Sequence, residues 1–246
     1  VEVTSTKADN SFEIKGLPYG YYIIDEVTEV KGTNSAASLC IVSTANPEMN
    51  LNIKSDYPVV TKKIREDDDQ DKVGNQGWND LADFEIGQTV PYRYESNMPD
   101  VNGYNTYYYA WHDVMSEALT FKKDSVAIRI YESSNARNYY ELKEGEFEVK
   151  EAPGGGDTFQ VIVSDMKKII DREFNRKNEA GENKYGQKIV LTYQATLNEK
   201  AAKNTGRPGF ENDVRLEFSN DPDSAVRGST GYTPWDTVVC FTYKIN

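Results

Sequence analysis

Histidine occurs once and cysteine twice in 246 residues, which leaves too few soft ligands for a zinc centre built from His and Cys. No apolar run reaches the ~18 residues that a membrane-spanning helix needs. Basic residues are in the minority, with Lys+Arg 28 against Asp+Glu 40 and a formal net charge of -12. That balance argues against a partner read through a phosphate backbone. The glycine-rich stretch Ala152-Pro153-Gly154-Gly155-Gly156-Asp157 lacks the Lys-Ser/Thr ending of a phosphate loop and reads as a flexible turn. Nor do the acids of Glu66-Asp67-Asp68-Asp69-Gln70-Asp71 make a calcium loop. Lys72 falls where that loop needs glycine, and Trp78 where it needs a bidentate acid. No cofactor or metal is expected.

Strand-forming residues are plentiful. Tyr 17, Phe 9 and Trp 3 are side chains that suit a pleated, half-buried surface. Short alternating runs separated by turns predict an all-β protein in two units, residues 1–57 and 58–246, with Tyr57-Pro58 at the junction because proline cannot donate to a central ladder. Strands are expected at Phe159-Gln160-Val161-Ile162-Val163, at 189–197 and at 238–245, and Asn105 to Trp111 is a β-rich run leading to Asp113. One short helix is expected after Ser164 or Asp165, carrying Met166, Ile169, Ile170 and Phe174 at helical spacing. Cys40 and Cys240 each stand where an aliphatic residue would serve, and read as small hydrophobes in different units. Their spacing leaves a bridge open.

Three polar residues interrupt apolar strand faces. Period-two alternation places Lys62 with Val60 and Ile64. The same count puts Asn220 in phase with Val214, Leu216 and Phe218, turning Arg215, Glu217 and Ser219 to water. Asn212 shares the face of Asn220, and Lys63 adjoins Lys62, so each has an alternative. Asp113 follows Trp111, and the single histidine, His112, reads as an outward strand residue. A buried lysine tends to surrender its proton and become a nucleophile. A protonated Asp113 in the same apolar site would hydrogen-bond the carboxamide oxygen, raise the electrophilicity of its carbon, and shuttle protons as ammonia leaves. The product would be a Lys62–Asn220 isopeptide bond. The bland alternative is a snorkelling lysine, with Asp113 and Asn220 capping turns.

Several motifs in order carry a resemblance. They are Pro58-Val59-Val60-Thr61-Lys62-Lys63-Ile64, Asp83 to Pro91, Trp111 to Phe121, and Asn212 to Pro222. Together they resemble the isopeptide-forming fimbrial domain of Gram-positive, sortase-assembled backbone pilins. The resemblance implies tandem immunoglobulin-like (Cna-type) β-sandwich domains. Residues 1–57 would be the C-terminal part of a Cna-B-like domain and 58–246 a Cna-A-like fimbrial domain. It also implies a lysine on the first strand, an asparagine near the end and an acid between them, matching Lys62, Asn220 and Asp113.

Tyr22-x-Ile24-x-Glu26 is similar to the pilin E-box, with Glu26 as its glutamate. Lys54 is the candidate lysine for sortase linkage by its place near the junction. The implied protein is a structural subunit of a cell-wall-anchored, extracellular pilus. It would join other pilin subunits, insert no segment into the membrane and turn over no external substrate. An adhesin presenting a surface for a host ligand is the alternative. A β-sandwich hydrolase using Asp80 and Asp83, or Glu146 and Glu148, is a third reading, and it ranks last because neighbouring acids more often form solvated faces. A start inside the strand pattern Val1-Glu2-Val3-Thr4, without a secretory signal, reads as that of a fragment.

Overall fold

The computed structural model describes residues 14–25, 37–45, 57–66, 77–174, 176–179 and 181–243. Glu26 and Lys54, and the acidic loop beyond Glu66, lie outside the described residues. The chain divides into two compact units. In the smaller, strands β1 (Gly20–Asp25) and β2 (Ala37–Val42) pair antiparallel from Gly20 opposite Val42 to Asp25 opposite Ala37.

The larger unit holds the described residues from Tyr57 onward. Its strands are β3 (Val60–Arg65), β4 (Trp78–Asn79), β5 (Leu81–Asp83), β6 (Thr89–Asn97), β7 (Tyr109–Met115), β8 (Leu119–Tyr131), β9 (Tyr139–Glu141), β10 (Glu148–Gly154) and β11 (Asp157–Val163). Helix α1 (Met166–Phe174) follows, then β12 (Lys188–Leu197), a single 3₁₀ turn at Glu199–Lys203, β13 (Phe210–Ser219), β14 (Thr230–Tyr232) and β15 (Asp236–Phe241).

Two sheets face one another. One has the order β4-β3-β6-β12-β8-β9; the other runs β10-β11-β7-β13-β15-β5, with β14 attached to β13. The ladders are antiparallel except for the pairing of β15 with β5. Alternation explains why they stack: β6 buries every second residue, with Val90, Tyr92 and Tyr94 fully inside. From the opposite sheet, Tyr109, Trp111, Val214, Leu216 and Phe218 fill the same core.

Helix α1 begins as the sequence implies. Asp165 Oδ1 accepts from the Lys168 backbone N–H at 3.1 Å, and Met166, Ile169 and Ile170 are buried. The β-rich run does not become strand until Tyr109. Tyr107 N–H instead donates to Asp165 and Tyr108 N–H to Ser219 Oγ, so side chains take over the role of a ladder there. The glycine-rich turn closes the β10–β11 hairpin, where Gly154, Gly155 and Gly156 all have φ between 68° and 100°, a region that glycine enters without steric cost.

Candidate functional site

Lys62 sits in the middle of β3, opposite Tyr94 of β6. Its side chain leaves its own sheet and ends in the core, fully buried. Asp113, from β7 of the facing sheet, is also fully buried, and its Oδ2 lies 2.6 Å from Lys62 Nζ. The third member is Asn212 on β13. Lys62 Nζ donates to its Oδ1, and the Asp213 carbonyl lies 3.3 Å from the same nitrogen. Asp113 pairs with Val214 across the β7–β13 ladder, so Asp113 and Asn212 stand diagonally on one inward face.

This placement corrects the expected partner. Asn220 lies beyond the last residue of β13, in a loop where its backbone N–H donates to Ser229 O. Eight residues of strand carry it about 26 Å along the sheet from Asn212. Parity is the same for both asparagines, but parity fixes a face and not a height along the strand. Lys63 points to the other side of β3 and pairs with Asp80 near the surface.

The surroundings of the amine are aromatic. Its Nζ lies 5.5 Å, 5.1 Å and 5.9 Å from the ring centroids of Tyr92, Tyr94 and Tyr193, and Phe159 packs on Tyr193 at 5.1 Å. Burial disfavours the ammonium and pulls the Lys62 pKa from 10.5 down to about 8, against the pull of Asp113 in the other direction. Burial likewise raises the Asp113 carboxyl above its ordinary range, although Lys62, Tyr94 and Tyr193 all favour its charged form. Both shifts act against the ion pair and toward the neutral forms of amine and acid. Asp113 Oδ2 also accepts from Tyr94 Oη and, at 3.0 Å, from Tyr193 Oη, while Oδ1 is buried with no hydrogen-bond partner.

A second arrangement departs from the sequence expectation. The Asn212 carboxamide makes no hydrogen bond to Asp113; its Oδ1 faces Lys62 and its Nδ2 donates to Tyr193 Oη at 2.9 Å. Tyr193 and Tyr94 carried no functional expectation. Their signal in the sequence is position alone, since each occupies an inward site of a strand whose other inward residues are mostly aliphatic or aromatic.

On the opposite face of β7, His112 does point outward but is not exposed. Its Nδ1 lies 2.7 Å from Asp157 Oδ2 and its Nε2 lies 2.9 Å from Glu217 Oε2. Glu217 is itself fully buried, with Thr230 Oγ1 2.7 Å away and Arg227 paired to the same Oε1. Glu217 and Ser219, expected in water, are covered because β14 and the segment carrying Arg227 fold over this face. Among the described residues no cluster of acidic, His and Cys side chains could hold a metal ion, and no helix is long and apolar enough to cross a membrane. Cys240 is buried in the core as a free thiol.

Residues 86–222, more than half of the 246, match the family model of the Gram-positive pilin backbone subunit 2, Cna-B-like domain. The chain belongs to that family. The pilin fold is also that of BcpA, the major pilin subunit of Bacillus cereus, with a TM-score of 0.53 at 17% identity over 96% of this chain and 59% of that one. A variant of BcpA superposes with a TM-score of 0.58 at 16% identity, covering 98% and 60%. The T6 backbone pilin of serotype M6 Streptococcus pyogenes gives 0.52 at 19% identity, covering 93% and 47%. At these identities the likeness is one of fold, and this chain spans roughly half of those pilins. No curated protein sequence matches it.

Proposed function

We propose that this chain is part of a structural shaft subunit of a Gram-positive surface pilus, and that it stiffens itself with an isopeptide bond between Lys62 and Asn212, assisted by Asp113. The observation that carries this reading is the fully buried contact of one amine with one carboxyl and one carboxamide, each from a different strand. The electrophilic carbon lies about 1.2 Å beyond the oxygen that Lys62 already contacts, so attack needs only a small displacement of Nζ. The neutral amine attacks that carbon, Asp113 moves protons, and ammonia departs. Nothing external is turned over.

The mechanical sense follows from topology. Lys62 and Asn212 lie in opposite sheets and are 150 positions apart. A bond between β3 and β13 ties the sandwich across its core and carries tension past the chain that it encloses. Polymerisation by a sortase, attachment to the cell wall and an extracellular location belong to the same proposal. Lys54 and Glu26 keep their proposed roles only on the resemblance.

The test is the intact mass of the denatured, reduced protein, followed by peptide mapping. A mass short by one ammonia, with a branched Lys62–Asn212 peptide, is the expected result. The full sequence mass would overturn the crosslink.

A further inference from the structure

The isopeptide reading needs a proton to reach the leaving carboxamide nitrogen, and Asp113 does not touch that nitrogen. Tyr193 does. Its hydroxyl lies 2.9 Å from Asn212 Nδ2 and 3.0 Å from Asp113 Oδ2, so one phenol bridges the acid and the leaving group. Tyr94 shows the contrast: its hydroxyl reaches Asp113 and has no hydrogen bond to Asn212. Both rings come from the lysine's own sheet, on β12 and β6, and are held by stacking. Tyr193 lies 5.1 Å from Tyr92 at 15° and 5.3 Å from Tyr94.

We propose that Tyr193 is a catalytic residue of the crosslink, relaying a proton from Asp113 to the departing nitrogen of Asn212. This rests on the isopeptide reading above. The balance is as follows. The neutral Lys62 amine forms a bond to Asn212 Cγ, and the carbonyl π pair moves to Oδ1. The carboxamide nitrogen, no longer conjugated, gains a lone pair and can accept a hydrogen bond where it formerly only donated one. The phenol, which at rest donates to Asp113 and accepts from Asn212, turns its proton to that nitrogen and takes the proton of Asp113 in its place. The oxygen pair then re-forms the carbonyl, the C–N bond breaks and ammonia leaves. The new amide nitrogen returns one proton to Asp113. Acid and phenol end as they began, one ammonia is lost, and no oxidant or further reactant is needed.

Burial suits the phenol to this work. Desolvation raises the Tyr193 pKa well above 10, which keeps the hydroxyl intact as both donor and acceptor beside a carboxyl.

The experiment compares the wild type, Tyr193→Phe and Tyr94→Phe, following the loss of ammonia by intact mass in freshly purified protein and during incubation after refolding. Tyr193→Phe keeps the ring and its stacking. It should emerge mostly uncrosslinked and close about 10²-fold more slowly than wild type, the lower end of what a positioned proton donor contributes. Tyr94→Phe should slow closure far less. Melting curves on a Lys62→Ala background, with and without Tyr193→Phe, separate a folding defect from a chemical one, and equal melting temperatures there are expected. Wild-type closure with an unchanged rate in Tyr193→Phe would overturn the relay and leave the crosslink standing. Equal slowing by the two tyrosine variants, or a folding loss on the Lys62→Ala background that accounts for the slowing, would also overturn it. A wild type that retains its full mass would instead remove the crosslink itself.

Discussion

His112 and Asp113 are neighbours on one strand, and each anchors a buried polar cluster, one on either face of the same sheet. On the inner face a single lysine meets a single carboxyl among tyrosine rings, and burial outweighs the hydrogen bonds that Asp113 accepts from Lys62, Tyr94 and Tyr193, driving the Lys62 pKa down and the Asp113 pKa up. On the outer face burial would likewise raise the Glu217 pKa, but hydrogen bonds from His112, Arg227 and Thr230 outweigh it and hold that carboxyl at about 2. Each carboxyl has three donors, so depth decides the outcome: Asp113 and its lysine are both closed off in the core, whereas the Arg227 side chain that pairs with Glu217 is half exposed. A carboxylate paired with an arginine that reaches water is a clasp, whereas an amine and an acid enclosed together in a dry core are suited to react. The difference between these two faces sets the order of effects expected when each is disturbed.

The inner site should give the largest change. Lys62→Ala or Asn212→Ala would remove the proposed crosslink, and with it the restriction on an unfolded loop of 150 positions. On the loop-entropy model this amounts to about 5 kcal/mol, to be read as a lower denaturation midpoint and faster proteolysis. Asp113→Ala should fold, retain the full mass and show a comparable loss. Crosslinking that persists in Asp113→Ala would mean that the acid is dispensable and that the inner face resembles the outer one more than its geometry suggests.

Glu217→Gln on the outer face should cost less, about 1–3 kcal/mol at neutral pH, because Arg227 loses its charged acceptor and a buried amide replaces a buried carboxylate. The sign of its pH dependence is fixed. The folded-state pKa of about 2 lies below the ordinary 4.5, so the stabilisation is present above about 4.5 and drains away as pH falls toward 2. Urea midpoints of wild type and Glu217→Gln should therefore converge across that window. Parallel curves would show that the clasp contributes no charge-dependent stability.

A smaller effect, one that narrows the gap to wild type as pH rises where the Glu217→Gln gap widens, belongs to the inner face when no bond can form. In Asn212→Ala, Lys62 remains an amine whose folded-state pKa lies below its ordinary 10.5, at about 8 with Asn212 present. The unfolded chain then binds more protons between those values, so stability rises with pH across that range. On the isopeptide proposal the wild type, with Lys62 consumed in an amide, lacks this contribution. The difference between their chemical-denaturation curves should therefore narrow from pH 8 to 10.5, by on the order of 1 kcal/mol. A constant gap would mean that the buried amine is as well solvated as a surface lysine.

How much of this was legible in the sequence depends on which physical rule each residue obeyed. Period-two alternation located the inward faces of β3 and β13, and the apolar spacing after Asp165 located the helix. The chemical ingredients Lys62 and Asp113 were visible as polar intrusions on apolar faces. What alternation does not contain is register between strands distant in sequence, and register is what brings Asn212, and not Asn220, to Lys62. The same gap hid the burial of Glu217. Its parity points outward, correctly, but the segment that covers it is contributed by Arg227 and Thr230 through a loop return that strand periodicity does not encode. Tyr193 was unreadable for a related reason, since an inward tyrosine on a strand looks like core until its hydroxyl is found between an acid and an amide.

The smallest effect expected is also the sharpest check on that register. Asn220→Ala alters a residue whose backbone N–H is bonded to Ser229 O and whose side-chain Oδ1 is buried without a partner. Losing a carboxamide whose oxygen is unsatisfied should leave stability within about 0.5 kcal/mol of wild type. The mass deficit of one ammonia and the branched peptide at Asn212 should both remain. If Asn220→Ala instead restored the full mass, β13 would have to slide by eight residues to bring that carboxamide to Lys62. Such an even shift preserves the inward face but breaks every pairing between Asp113, Val214 and their neighbours. Retention of the crosslink in Asn220→Ala, with its loss in Asn212→Ala, thus tests strand register and site chemistry in one comparison.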